Sequence, residues 1–116
     1  MARIDHVNLP VPPGGADEVA GFYEAVLGFT RAVRPDTGRA GAWLDVGGGV
    51  QVHLSEHEGD AHPDQHVAFV VDDLEAVHRR AVAAGAVWDE MAPGRAKFRD
   101  PAGNLVELFA EGAARA

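Results

Sequence analysis

The segment Ala96 to Leu108, A-K-F-R-D-P-A-G-N-L-V-E-L, lies without gaps on Ala42 to Leu54, A-W-L-D-V-G-G-G-V-Q-V-H-L, so the chain carries a piece of itself twice. Ala meets Ala, Gly103 meets Gly49, and V-E-L meets V-H-L. In each copy a short strand runs into a Gly-containing turn and returns as a strand of alternating apolar and polar residues, the period-2 pattern of a half-buried hairpin. That alternation sends His53 and Glu107 to one face and Val52, Leu54, Val106 and Leu108 to the other. A histidine and a carboxylate thus occupy equivalent points of equivalent hairpins.

The flanking sequence repeats as well. Arg3 to Val11, R-I-D-H-V-N-L-P-V, is β-rich and reads as a strand ending near Pro10, with Ile4, His6 and Asn8 on one face. His66 to Val71, H-V-A-F-V-V, restates its second half, H-V-N-L-P-V. After the first strand, Pro12-Pro13-Gly14-Gly15 turns the chain. Val19, Phe22, Tyr23, Val26 and Leu27 then fall at helical spacing, with Gly28 as the stop. After the second strand, Asp72 is a candidate N-cap with Glu75 completing a capping box. Leu74, Val77, Ala81 and Val82 mark the buried side of a helix ending at Gly85. Phe29 to Val33 and Ala86 to Asp89 suit one further strand in each half. An internal duplication of a β-α-β-β-β unit follows: module one over residues 1–56, module two over 65–112, joined by the acidic, Gly- and Pro-containing linker 57–64.

At 116 residues the chain has the length of a single domain able to bury a core without staples. It has no Cys, which removes thiolate nucleophiles and thiolate metal ligands. A formal net charge of −8 without any Lys/Arg run argues against nucleic acid and anionic membrane as partners. The apolar runs are too short to span a bilayer, and the N-terminus lacks a signal peptide's apolar stretch, so a cytosolic location is expected. Small molecules and other proteins remain as partners.

The paired β-α-β-β-β modules, the opening D-H-V, the helix end F-Y-E-A-V-L-G-F and the C-terminal D-P-A-G-N-L-V-E-L resemble the vicinal oxygen chelate superfamily. That group contains glyoxalase I, extradiol dioxygenases, fosfomycin thiol transferases and bleomycin-binding proteins. The resemblance covers nearly the whole chain. It implies an α+β fold in which two modules curl eight strands into a cup-shaped mixed sheet around the site. The superfamily takes its metal ligands from the first and last strands of each module, and here those positions hold His6, His53, His66 and Glu107. Three imidazoles and a carboxylate suit one divalent ion such as Zn, Ni, Fe, Co or Mn, and suit Mg or Ca less well. His53 stands as a fourth ligand or as a base, with Glu107 the other catalytic candidate.

Taken singly, each of these four is more often a hydrogen-bonded strand histidine or a surface carboxylate; their joint occurrence at four matched positions is what favours a site. For His57, His62 and His78 the ordinary reading wins, since two lie in the linker and one on a helix. If the hairpins turn symmetrically, Trp43 faces His53, Asp45 faces Gln51 and Lys97 faces Glu107, with Arg99 on the same face. Asn8, Trp43, Gln51, Lys97 and Arg99 are therefore substrate-contact candidates, and the two cations would favour an anionic substrate. The resemblance implies a reaction in which a metal chelates vicinal oxygens and stabilises an anionic intermediate, as in glyoxalase-like lyases and isomerases. An extradiol dioxygenase, a fosfomycin-type thiol transferase and a non-enzymatic antibiotic-binding cup are the alternatives. Glyoxalase I-like proteins usually carry a carboxylate where this chain has His53, and Tyr23 sits on a helix rather than at a dioxygenase's substrate. A homodimer is expected, its metal site lying within one chain or crossing between two.

Overall fold

The two matched segments fold into hairpins whose residue pairing is the one their symmetry predicts. The computed structural model describes residues 1–113. In chain order the elements are β1 (His6–Val11), α1 (Ala16–Leu27), β2 (Thr30–Arg31), β3 (Gly41–Gly47) and β4 (Val50–Glu56). Then follow β5 (His66–Val71), α2 (Leu74–Ala83), β6 (Asp89–Ala92), β7 (Arg95–Arg99) and β8 (Leu105–Ala110). The eight strands form two four-stranded mixed sheets, β1-β4-β3-β2 and β5-β8-β7-β6, each with one parallel pair at its start. This is the duplicated β-α-β-β-β architecture.

Register follows the repeat: Trp43 pairs with His53, Asp45 with Gln51 and Lys97 with Glu107. Each sheet therefore has an apolar face and a polar face. Val52, Leu54, Val106 and Leu108 are almost wholly buried and join Val19, Phe22, Tyr23, Val26 and Phe98 in one core cluster that runs through both modules. The helices sit on this side, α1 against β3 and β4, α2 against β8, and each against the other. The opposite faces, which carry the candidate site residues, are left without a helix.

Several boundaries differ from the sequence expectation. β1 starts at His6 and runs through Pro10 to Val11; as the outer strand of its sheet it tolerates a residue without an N–H. The strand expected over Phe29–Val33 shrinks to two residues, because Phe29 turns into the core instead. The weak strand expected over Ala86–Asp89 lies later, over Asp89–Ala92, where it can pair with β7. The N-cap of α2 is Asp73, whose carboxylate accepts from Ala76 N at 3.0 Å; this displaces Asp72 and with it the capping box to Glu75. Val82, expected on the buried side of α2, is 53% exposed. Helix α1 has no side-chain cap of its own at Gly15, and Glu56 at the end of β4 takes that role. Its carboxylate accepts from Gly14 N at 2.7 Å and Ala16 N at 3.3 Å.

One polar knot joins the modules. The turn after β7 is organised by buried Asp100, which accepts from Ala102 N and Asn104 N, both at 2.9 Å. Its other oxygen accepts from Tyr23 OH at 2.6 Å and from Asn104 Nδ2 at 3.0 Å, while that same amide reaches Pro10 O at 2.8 Å. Gly103, at φ 89°, supplies the left-handed step of this turn. The D-P-A-G-N stretch is thus a tie between the halves. Arg80 Nε, donating to Val26 O at 3.0 Å, ties the two helices in the same way.

Candidate functional site

The polar face of the first sheet carries a stack of three rings. Pairing of β1, β4 and β3 brings His6, His53 and Trp43 to one side. The His53 ring lies 4.1 Å from Trp43 at 3° and 3.9 Å from His6 at 15°. His53 is buried between them, whereas His6 remains 42% exposed at its side chain. Burial, and then the neighbouring His6, lower the pKa of His53 from its ordinary 6.5, so its imidazole is neutral near pH 7. His53 Nε2 donates to Gln51 Oε1 at 2.8 Å, and Gln51 Nε2 donates to Asp45 Oδ1 at 2.9 Å. His6 Nδ1 donates to Asp5 Oδ2 at 2.8 Å; this bond, more than any other contact, lowers the pKa of exposed Asp5. Asn8 stands beside His53 in register and accepts from Ser55 Oγ at 2.6 Å.

The polar face of the second sheet carries the other pair. His66 Nε2 and Glu107 Oε2 are 3.2 Å apart, and the Glu107 carboxylate is buried. His66 Nδ1 donates to Asp64 O at 2.9 Å. The cation on Glu107 is Arg95, whose Nε donates to Oε1 at 2.9 Å while the guanidinium lies 5.2 Å from the Phe109 ring centre. Sequence reasoning missed Arg95, which lies one residue before the repeated segment. The available signal was strand parity: Arg95, Lys97 and Arg99 alternate onto one face.

Lys97 faces Glu107 in register, but its ammonium reaches Asp89 at 3.7 Å instead. Arg99 donates to Gly103 O and Pro63 O, tying the linker to the Asp100 turn. Of the remaining histidines, His62 Nδ1 accepts from two backbone amides of its own turn, and His78 stacks on Trp88 at 4.4 Å. His57 bonds to the carbonyl of Glu58. Each is occupied locally.

The four matched residues therefore stand as two pairs, one per module. Among the described residues no three His, Asp or Glu side chains gather closely enough to hold one ion. The donor chemistry nonetheless fits a divalent metal. Each of the three imidazoles gives one ring nitrogen to an oxygen acceptor, which holds the ring; the other nitrogen carries the lone pair in His6 and His53, and in His66 it faces the Glu107 carboxylate. Two ligands of one zinc-like ion, bound at ~2.0–2.2 Å at the tetrahedral angle, stand about 3.3–3.6 Å apart. His66 Nε2 and Glu107 Oε2, at 3.2 Å, stand just inside that spacing. Between the outer strands β1 and β5 runs a groove of about 530 Å³, lined in part by Asn8, Gln65, His66 and Asn104.

Comparison with known proteins agrees with this architecture. No curated protein matches the chain. Among solved structures, a protein from Bacillus anthracis described as belonging to the glyoxalase family shares 25% identity over 95% of each chain, with a TM-score of 0.80. The fosfomycin resistance protein FosX from Listeria monocytogenes, solved with Mn(II) and a dihydroxypropylphosphonic acid, superposes at a TM-score of 0.79 and 15% identity, covering 95% of this chain and 92% of its own. TnmS3 from Streptomyces sp. CB03234, an antibiotic binding protein, gives 0.75 and 19% over 95% and 96%. At those two identities the likeness is one of fold. The sequence model of one family matches residues 3–108, nearly the whole of both modules, and the chain belongs to the Glyoxalase/Bleomycin resistance protein/Dioxygenase superfamily.

Proposed function

We propose that the protein is a divalent-metal-dependent enzyme that acts on a small molecule bearing two neighbouring oxygens. His6, His66 and Glu107 would hold the ion, with His53 as fourth ligand or as base. The observation that carries this reading is the pinning of all three imidazoles by oxygen acceptors, which holds each ring in place. When bound, such an ion acts as a Lewis acid and stabilises negative charge developing on the chelated oxygens. The chain's own groups do the rest. Neutral His53 can take a proton at Nδ1, and the flat Trp43 ring behind it keeps water from that side. Arg95 uses only Nε on Glu107, so its terminal nitrogens can meet an anionic group of the substrate.

Among the described residues the four stand as two pairs and no three gather round one point, which favours a site closed by a second copy. In a crossed homodimer His6 and His53 of one subunit would meet His66 and Glu107 of the other. The test is metal stoichiometry and affinity of protein purified without an affinity tag. Glu107→Ala and His66→Ala should each weaken binding by more than the ~10–100-fold typical of losing a ligand's outer hydrogen-bond partner. Unchanged tight binding in both variants ends this reading. Retention of a small molecule by a protein that takes up no metal would point instead to a sequestering cup.

A further inference from the structure

We infer that Asp45 and Gln51 are positioning residues that fix which nitrogen of His53 carries the proton. A ring sandwiched between two others keeps its plane, but a stack does not choose between its two nitrogens. The choice is made by a relay along the strand pair. Asp45 and Gln51 face each other across β3 and β4, and Gln51 and His53 are two residues apart on one strand, so all three side chains share a face.

Asp45 Oδ1 is an acceptor and requires the Gln51 Nε2 donor at 2.9 Å. Turning the amide over would set two oxygens against each other without a proton between them. The amide oxygen is thereby held toward His53, 2.8 Å from Nε2, and since that oxygen can only accept, Nε2 must donate. A neutral imidazole has one N–H, so the lone pair is left on Nδ1. His53 thus differs from His6 and His66, whose Nδ1 atoms are the pinned ones. The use of Nδ1 as a ligand or proton acceptor rests on the function proposed above, whereas the relay itself needs no metal.

The experiment is nitrogen-15 NMR of His53 in metal-free protein under mildly alkaline conditions, where histidines are neutral. Wild type should show the Nε2–H form in excess by about tenfold or more, the ratio a ~1.4 kcal/mol hydrogen-bond preference gives. In Asp45→Asn the neutral amide can accept or donate, the Gln51 side chain is free to turn over, and the ratio should fall several-fold. In the double variant Asp45→Asn with Gln51→Glu, the new carboxylate can only accept, and the Nε2–H excess should return. A rescue of this kind is not produced by a purely structural role. A wild-type ring protonated at Nδ1, or an Asp45→Asn ratio equal to wild type, overturns the relay. If Nδ1 is a ligand, a Zn(II) titration of Asp45→Asn should show affinity lowered in step with the lost share of the Nε2–H tautomer; unchanged affinity would overturn the ligand role and leave Nδ1 as the proton acceptor. Wild type that binds no metal but shows the relay's shifts would end the functional reading and leave the relay standing.

Discussion

The Tyr23 hydroxyl and the Asp100 carboxylate meet in the core at 2.6 Å, 77 residues apart in sequence. Burial above all, with the Asp100 charge and its hydrogen bond adding to it, pushes the Tyr23 phenol well above its usual value near 10. In the unfolded chain that phenol ionises near pH 10 while the native one stays protonated. The stabilisation is therefore complete below about pH 10 and is lost as pH rises beyond it. As Tyr23 is the sole tyrosine, tyrosinate absorbance in an alkaline titration should appear only together with unfolding, and appearance in the folded protein would contradict the contact. Tyr23→Phe should lower stability near neutral pH by about 2 kcal/mol in a urea titration, the worth of a buried hydrogen bond to a charged acceptor. The burial of Tyr23 was legible from helical spacing, but nothing in the local pattern pointed to Asp100. Side-chain destinations were similarly hidden: strand parity put Lys97 opposite Glu107, yet Lys97 also faces Asp89 on β6 and turns to it, and the contact with Glu107 fell to Arg95, two residues along β7.

The elements the sequence showed best were those written twice. A shared Gly turn and a shared V-x-L return strand specify both hairpins and their register, since a slip of one residue would expose Val52, Leu54, Val106 and Leu108 together. β2 and β6 were blurred because two to four residues carry too little pattern, and pairing with β3 and β7 decides their limits. Adjacent carboxylates hid the true cap of α2: only backbone geometry distinguishes Asp73 from Asp72. The cap of α1 was invisible for another reason, since Glu56 is forty residues away from the helix it serves. Both caps make a prediction. Asp73→Ala and Glu56→Ala should each cost about 1 kcal/mol of stability by denaturant unfolding, whereas Asp72→Ala should change little; equal losses at Asp72 and Asp73 would refute the assignment.

At the scale of the whole molecule, the exposed surface is 7037 Å², against about 6,100 Å² for a typical folded monomer of this mass. The helix-free polar faces and the unpaired outer edges of β1 and β5 account for an open shape, 43 × 36 × 24 Å, that a second copy could close. Mixing a His6→Ala chain with a Glu107→Ala chain tests the crossing directly. If the proposed site crosses between subunits, the heterodimer regains one intact site of two and the mixture should bind metal where neither variant alone does; no recovery after confirmed subunit exchange would rule the crossing out. The pairing of the two modules within a chain has a further consequence, set by the Asp100 knot. In the gapless repeat Val46 stands where Asp100 stands, so the tie exists once and not twice. Two identical modules facing each other would have to carry such a tie in duplicate or not at all. Were the halves separated and each paired with its own copy, one assembly would bury a tyrosine hydroxyl without its carboxylate and the other a carboxylate without its hydroxyl, and burying either group unpaired is costly. The one-sided tie thus selects the partner: it favours each module packing against its unlike neighbour over packing against a copy of itself.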